Sequence, residues 1–355
     1  MRKNQIFKDL LVVELASVLA GPAVGMFFAE LGARVIKIEN KKTGGDVTRR
    51  WKLPSEDPQS AASAYYHSIN WGKEVHFLDL SNDADHTLAM DWISRADVVI
   101  SNFRPDSARK MGFAPDQLRG QFPGLIFGQI TGFGENSDKP AFDIVLQAEA
   151  GFLYMTGDPD RAPSRMPVAL IDLLAAHQLK EGILLALLQK ERQGTGALVS
   201  VSLRDAAVAS LANQASNWLV AGHIPQRMGS RHPNIAPYGD IFTTADGRQI
   251  VLAVGNDKQF HSLCLALQLE ALAEDQRFSS NEQRVQHRTA LNEYLEEAIA
   301  GMDLPAVEAQ FHARQVPFGR VRNMEEVFAD PEVQTLVLDD DQGGKRVRTA
   351  VFQIS

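Results

Sequence analysis

Short runs of adjacent apolar residues alternate with stretches of helical spacing through the first two-thirds of the chain. Residues 10–15 carry paired valines and read as a strand buried on both faces. A Gly/Pro turn at Ala20-Gly21-Pro22-Ala23 follows, then a helix over 24–31 that stops at Gly32. Residues 34–39 form the next strand, and the three pieces make one βαβ unit with a right-handed crossover. The rhythm continues with strands at 75–80, 97–101, 125–130 and 198–201, and helices at 84–95, 105–111, 171–192 and 205–220. It predicts an α/β fold, a Rossmann-like and mostly parallel sheet flanked by helices, whose ligands bind at the carboxyl ends of the strands. After Gly222 the texture changes. Residues 227–238, rich in Gly, Pro, Arg and His, read as a crossing loop. Two strands at 239–244 and 249–254 are joined by a hairpin turn, Ala245-Asp246-Gly247, and helices fill 258–315. The predicted organisation is a large α/β domain over 1–222, a smaller α+β domain over 223–330, and a short C-terminal segment over 331–355.

Charge narrows the function. A net charge of -8 argues against a general nucleic-acid binder, while leaving room for a local basic pocket. Cys264 is the only cysteine and sits among Phe260, Leu263 and Leu267, a core position. An intrachain disulfide and a cysteine-based metal site are thereby excluded, and no metal site is expected. No apolar run approaches the ~20 residues that span a bilayer, so no membrane is implied and the expected compartment is the cytoplasm. Glu39 at the end of the second strand invites a nicotinamide-dehydrogenase reading. The turn before it lacks Gly-x-Gly-x-x-Gly, however, and Pro22 removes a backbone donor, so a pyrophosphate has no cradle there. No Gly-x-x-x-x-Gly-Lys-Ser/Thr loop is present either.

Several segments, in this order, resemble the class III coenzyme A transferases, the CaiB/BaiF-like family that includes formyl-CoA transferase, carnitine-CoA transferase and the 2-methylacyl-CoA racemases. They are Ala20-Gly21-Pro22-Ala23 with Leu31-Gly32-Ala33-Arg34-Val35-Ile36-Lys37-Ile38-Glu39, then Asn70-Trp71-Gly72-Lys73 with Phe77-Leu78-Asp79-Leu80. Ala96-Asp97-Val98-Val99, Asn102-Phe103-Arg104-Pro105 and Met111-Gly112-Phe113 come next. Gly132-Phe133-Gly134, Phe142-Asp143, Gln147-Ala148, Asp172 and Gly194-Thr195-Gly196 complete the set. The resemblance implies an interlocked homodimer, coenzyme A or acyl-CoA as substrate with no permanently bound cofactor, and a small carboxylic acid as the second partner.

It also implies roles. Asp172 matches the aspartate that forms a mixed anhydride with the acyl group and then a thioester with coenzyme A. A carboxylate suits this task, being ionised at neutral pH and a good leaving group. Asp172 is read as lying just before a helix, whose first amides favour the ionised form, and helix capping is its bland alternative. Lys73, Asn102, Phe103 and Arg104 match coenzyme-contacting positions at strand ends, and Lys110 and Lys139 are further cationic candidates. Leu19, Ala20 and Phe142 fall beside the substrate. Arg231, in Arg231-His232-Pro233-Asn234, could hold the distal carboxylate of a succinate-like acid with two parallel hydrogen bonds, or instead pair with an acidic residue at an interface.

The chain also departs from the family pattern. Glu74 stands where a second basic residue is common in the family, and Asn40, Leu19 and Phe142 replace residues of formyl-CoA transferase. No glycine-rich flap is evident, and the usual returning C-terminal segment is read as absent. Two alternatives stay open. A 2-methylacyl-CoA racemase needs two acid/base groups, and Phe142 cannot transfer a proton. His177 lies within the helix after Asp172 and reads as packing. A coenzyme A-binding protein that has lost catalysis is the other.

Overall fold

The computed structural model describes residues 5–137, 139–339 and 344–354. Six strands form one parallel sheet: β1 (Leu11–Leu15), β2 (Arg34–Asn40), β3 (Glu74–Leu78), β4 (Val98–Ser101), β5 (Ile126–Thr131) and β6 (Leu198–Ser202). Their order is β3-β2-β1-β4-β5-β6. The chain therefore reverses direction across the sheet between β1 and β4, which opens a crevice at their carboxyl ends. The connecting helices are α1 (Ala20–Glu30), α2 (Ala64–Asn70), α3 (Asp83–Arg95), α4 (Pro105–Lys110), α5 (Pro115–Gln121), α6 (Asp143–Glu149), α7 (Phe152–Met155), α8 (Leu170–Gln193), α9 (Leu203–Ala209) and α10 (Ala212–Ala221).

Adjacent apolar residues are needed in these strands because both faces are covered. Val12, Val35 and Val98 pack into one core with Val24 of α1 and Leu179 of α8. Val13 lies opposite Ile36 and Val99, and all three join the other core with Ile93 of α3 and Leu118 of α5.

Two local readings change. The Ala20-Gly21-Pro22-Ala23 segment is the first turn of α1, not a loop. A proline there forfeits no intrahelical hydrogen bond. Gly25 lets α1 lie close on β1, since a Cβ would collide with the Glu14 carboxylate. The helix expected over 205–220 is two, broken where the Ser210 hydroxyl donates to the Ala206 carbonyl at 2.8 Å and Ala212 takes a φ of 49°.

Two compact units divide the chain. The first takes in residues up to Phe152, then Met166–Ile224, and the chain from Glu332 onward; the second takes Leu153–Arg165 and Pro225–Pro331. The chain from Glu332 onward therefore returns to the first unit. It carries strands β10 (Val337–Asp339) and β11 (Lys345–Val347), paired antiparallel, rather than a Pro-rich stretch and helix. What draws it back is Glu30, a buried carboxylate on α1 that needs partners. Arg346 forms an ion pair with it, and the Thr349 and Ala350 amides donate to it at 3.0 and 2.9 Å. Burial acts to raise the Glu30 pKa, but these contacts outweigh it and the carboxyl sits below its ordinary range.

The second unit has its own antiparallel sheet, β7 (Tyr238–Thr243), β8 (Gln249–Ala253) and β9 (Phe318–Arg320), and its own core around Leu252, Leu263, Phe278, Leu291 and Phe311. The Ala245-Asp246-Gly247 turn joins β7 to β8, with Gly247 at a φ of 75°. Cys264 is buried in this core. Among the described residues no helix is long and apolar enough to cross a membrane.

Candidate active site

A cavity of about 210 Å³ opens at the carboxyl ends of β1, β4 and β5, at the reversal point of the sheet. Leu19, Ala20, Phe142 and Asp172 line it together with Asn102, Phe103, Arg104 and Lys139. Eight of the residues singled out from the sequence thus meet in one place.

Asp172 occupies the third position of α8 and is 8% exposed. It does not cap the helix, because Ala169 is the residue at the cap. Among the described residues no group donates a hydrogen bond to its carboxylate. Burial, followed by the negative charge of Asp143, pushes its pKa up to about 7. The expectation that helix-start amides favour the ionised form is therefore corrected, since desolvation outweighs the helix end.

Asp143, the first residue of α6, is held differently. Its Oδ1 accepts the Ile171 amide at 2.8 Å, and its Oδ2 accepts the Gln147 side-chain amide at 2.5 Å. Gln147 Oε1 in turn accepts the Met166 amide at 2.9 Å. Donors thus hold the Asp143 carboxylate, while among the described residues none reaches that of Asp172. Asp143→Asn removes the negative neighbour and lowers the Asp172 pKa. If activity needs ionised Asp172, the acidic limb of kcat/KM against pH shifts to lower pH in this variant, and a limb that stays or moves up contradicts the coupling.

The turn after β1 forms another wall. Asn102 grips Ser17 at both ends, its Oδ1 accepting the Ser17 amide at 3.1 Å and its Nδ2 donating to the Ser17 carbonyl at 2.8 Å. Val18 has a φ of 72°, a conformation that costs a β-branched residue roughly 1–3 kcal/mol. Its amide donates to the Asp46 carboxylate at 3.1 Å.

Lys73 does not line this cavity. Its side chain is 0% exposed, and its ammonium contacts Glu14 at 2.8 Å, the Pro22 carbonyl at 2.8 Å and Asn70 Oδ1 at 3.0 Å. Burial pushes its pKa down to about 7 against the attraction of Glu14. Lys37, equally buried, bridges Glu14 at 2.9 Å and Asp46 at 3.2 Å. Burial acts to lower its pKa, but these charges outweigh it and the net shift is upward. Lys110 is exposed at the end of α4 and lines neither this cavity nor the second one described below. Arg231 belongs to the second unit, where its Nε donates to the Met228 carbonyl at 3.3 Å.

Arg104 and Lys139 are exposed cations on the cavity wall, Lys139 resting over the Phe133 ring at 5.2 Å. Phe142 is 59% exposed there. A second cavity of about 560 Å³ lies at the ends of β1, β2 and β3 and carries Lys42 and Arg50. Ser17 and Phe103 line both cavities.

Sequence reasoning missed Tyr65. Its phenol is pushed up to about 12 by burial, then by the charge of Asp172, then by that of Asp143. Asp143 was read only as a motif residue. The one available signal for the ion network was charge within buried strands, Glu14 in β1 and Lys37 in β2.

The family model described as CoA-transferase family III matches residues 7–350. The chain is 39% identical over 329 residues to a succinate–glutarate CoA-transferase of Agrobacterium fabrum, covering 91% of this chain and 82% of that one. A succinyl-CoA:mesaconate CoA-transferase of Haloarcula hispanica is 32% identical over 346 residues, covering 95% and 86%. A crystal structure of a CaiB/BaiF family protein from Brucella suis superposes with a TM-score of 0.89 at 36% identity, over 99% of this chain and 93% of that one.

Proposed function

Because the chain belongs to CoA-transferase family III and is an enzyme that transfers coenzyme A, we propose that it moves coenzyme A between a short dicarboxylic acyl-CoA and a free carboxylic acid, with Asp172 as the nucleophile. The observation that carries this reading is the Asp172 carboxyl, buried with no donor among the described residues on the wall of the cavity at the sheet's reversal point. A desolvated carboxylate without hydrogen bonds is a stronger nucleophile than a solvated one.

The steps need no other reactant. Asp172 attacks the thioester carbonyl, the C–S bond breaks, and coenzyme A leaves as thiolate from a mixed anhydride. The thiolate attacks the Asp172 carbonyl carbon and releases the donor acid as its carboxylate, leaving an aspartyl-CoA thioester. An acceptor carboxylate attacks the carbonyl carbon of that thioester, the C–S bond breaks, and the coenzyme A thiolate leaves a second mixed anhydride on Asp172. The thiolate then attacks the acceptor's acyl carbon, which yields the new acyl-CoA and restores the Asp172 carboxylate. Each intermediate is kept from hydrolysis by burial of the aspartate.

Arg104 and Lys139 are the cations suited to the coenzyme's phosphates, and Phe103 joins the two cavities along which a long coenzyme can lie. The dicarboxylic preference draws on the relatives named for succinate, glutarate and mesaconate. Arg231 remains the candidate for a distal carboxylate. The test is a matrix of acyl-CoA donors against acids, read by chromatography of the CoA esters. Succinyl-CoA or glutaryl-CoA with a dicarboxylic acceptor should exchange fastest, and Arg231→Lys should reduce that preference. Equal use of monocarboxylates, unchanged in Arg231→Lys, contradicts the dicarboxylate assignment.

A further inference from the structure

The buried ion network has a geometry that plain stabilisation does not require. It touches the cavity-forming turn at three successive points. Lys37 donates to the Ala16 carbonyl at 2.8 Å on the approach. Asp46 accepts the Val18 amide through both oxygens, at 3.1 and 3.4 Å, in the middle. Lys73 donates to the Pro22 carbonyl at 2.8 Å beyond it. Between those points stand Leu19 and Ala20, which face the same cavity as Asp172. Val18 is held in the left-handed region, which a β-branched side chain resists and glycine accepts freely.

Asp46 is itself over-determined. Its Oδ1 accepts the Thr48 amide and hydroxyl at 3.0 and 2.8 Å, its Oδ2 lies 3.2 Å from the Lys37 ammonium, and its own amide donates to Glu39 at 2.9 Å. A carboxylate so fixed can impose a backbone conformation that the residue it grips would otherwise leave.

We infer that Asp46 is a positioning residue for CoA transfer: it holds Val18 left-handed and so sets the Leu19–Ala20 wall against the reacting carbonyl. The inference rests on the reading that this cavity is the active site. In Asp46→Asn one oxygen becomes a donor: in the place of Oδ2 it faces both the Val18 amide and the Lys37 ammonium, in the place of Oδ1 it faces the Thr48 amide, and either placement loosens the grip. kcat should fall on the order of 10²-fold, the effect of a small misplacement, with KM for the acyl-CoA changed far less.

The decisive variant is Val18→Gly placed in the Asp46→Asn background. Glycine adopts the same φ without being held, so kcat should recover at least about tenfold, being limited by backbone conformation at that one residue. Asp46→Glu, which keeps the charge but moves the oxygens, takes the place of Asp46→Asn if that variant does not fold, with the same rescue expected. An unchanged kcat in the folded Asp46 variant, or a loss that Val18→Gly does not relieve, overturns the inference. Wild-type protein that exchanges no CoA ester overturns the functional reading itself, a different result from active wild type with no rescue.

Discussion

Asp172→Asn should lose CoA transfer by about 10⁴-fold or more while becoming more stable at pH 8. Loss of activity follows from removing the attacking oxygen, since an amide neither forms the anhydride nor leaves from it. The gain in stability follows from the same burial that makes the residue reactive. The folded-state pKa of Asp172 is raised to about 7 from an ordinary 3.8. Its protonated form therefore favours the fold, and that favourable state is fully present below about pH 4 and lost as pH rises through 7. At pH 8 the wild type holds a buried charge that the asparagine variant lacks, a difference on the order of 4 kcal/mol. By pH 5 the difference should shrink to less than half. Urea unfolding of both proteins at the two pH values measures it, and a variant no more stable than wild type at pH 8 would show that the carboxylate is satisfied in the fold.

Lys37→Met should be among the most damaging single changes to the first unit. Lys37 contacts Glu14 and Asp46, all three side chains at or near 0% exposure. Removing the ammonium leaves Glu14 paired with Lys73 alone and Asp46 with no cation within ion-pair distance among the described residues. Stripping one partner from a buried pair costs about 3–5 kcal/mol. The midpoint of urea unfolding reads this directly. Adding Glu14→Gln should return part of the loss, because one orphaned charge is then removed. An unfolding midpoint within error of wild type for Lys37→Met would mean that the network is solvated.

The sheet was legible because strands covered on both faces must be apolar at adjacent positions, as Val12-Val13 and Val98-Val99 are, and because helical spacing separates them. The cavity was legible through its strand-end residues, Asn102 to Arg104 above all. What stayed hidden depends on partners distant in sequence. Lys73 looks like any strand-flanking lysine until Glu14, 59 residues away, is seen to take its charge. The helix start at Ala20 was obscured by Pro22, whose ring is a helix breaker everywhere except the first turn. The docking of β10 and β11 on the first unit was not legible because their anchor is a single glutamate on α1. Tyr65 and Asp143 acquire their meaning from Asp172, which neither adjoins in the chain.

The most direct test of the account is the mass of the peptide containing Asp172 after brief incubation of the enzyme with succinyl-CoA alone and quenching in acid. The covalent mechanism predicts a coenzyme A adduct on Asp172, converted by hydroxylamine to a hydroxamate at the same residue and absent from Asp172→Asn. Full CoA-ester exchange activity with an unmodified Asp172 peptide at every time point, or an adduct on any other side chain, would contradict it.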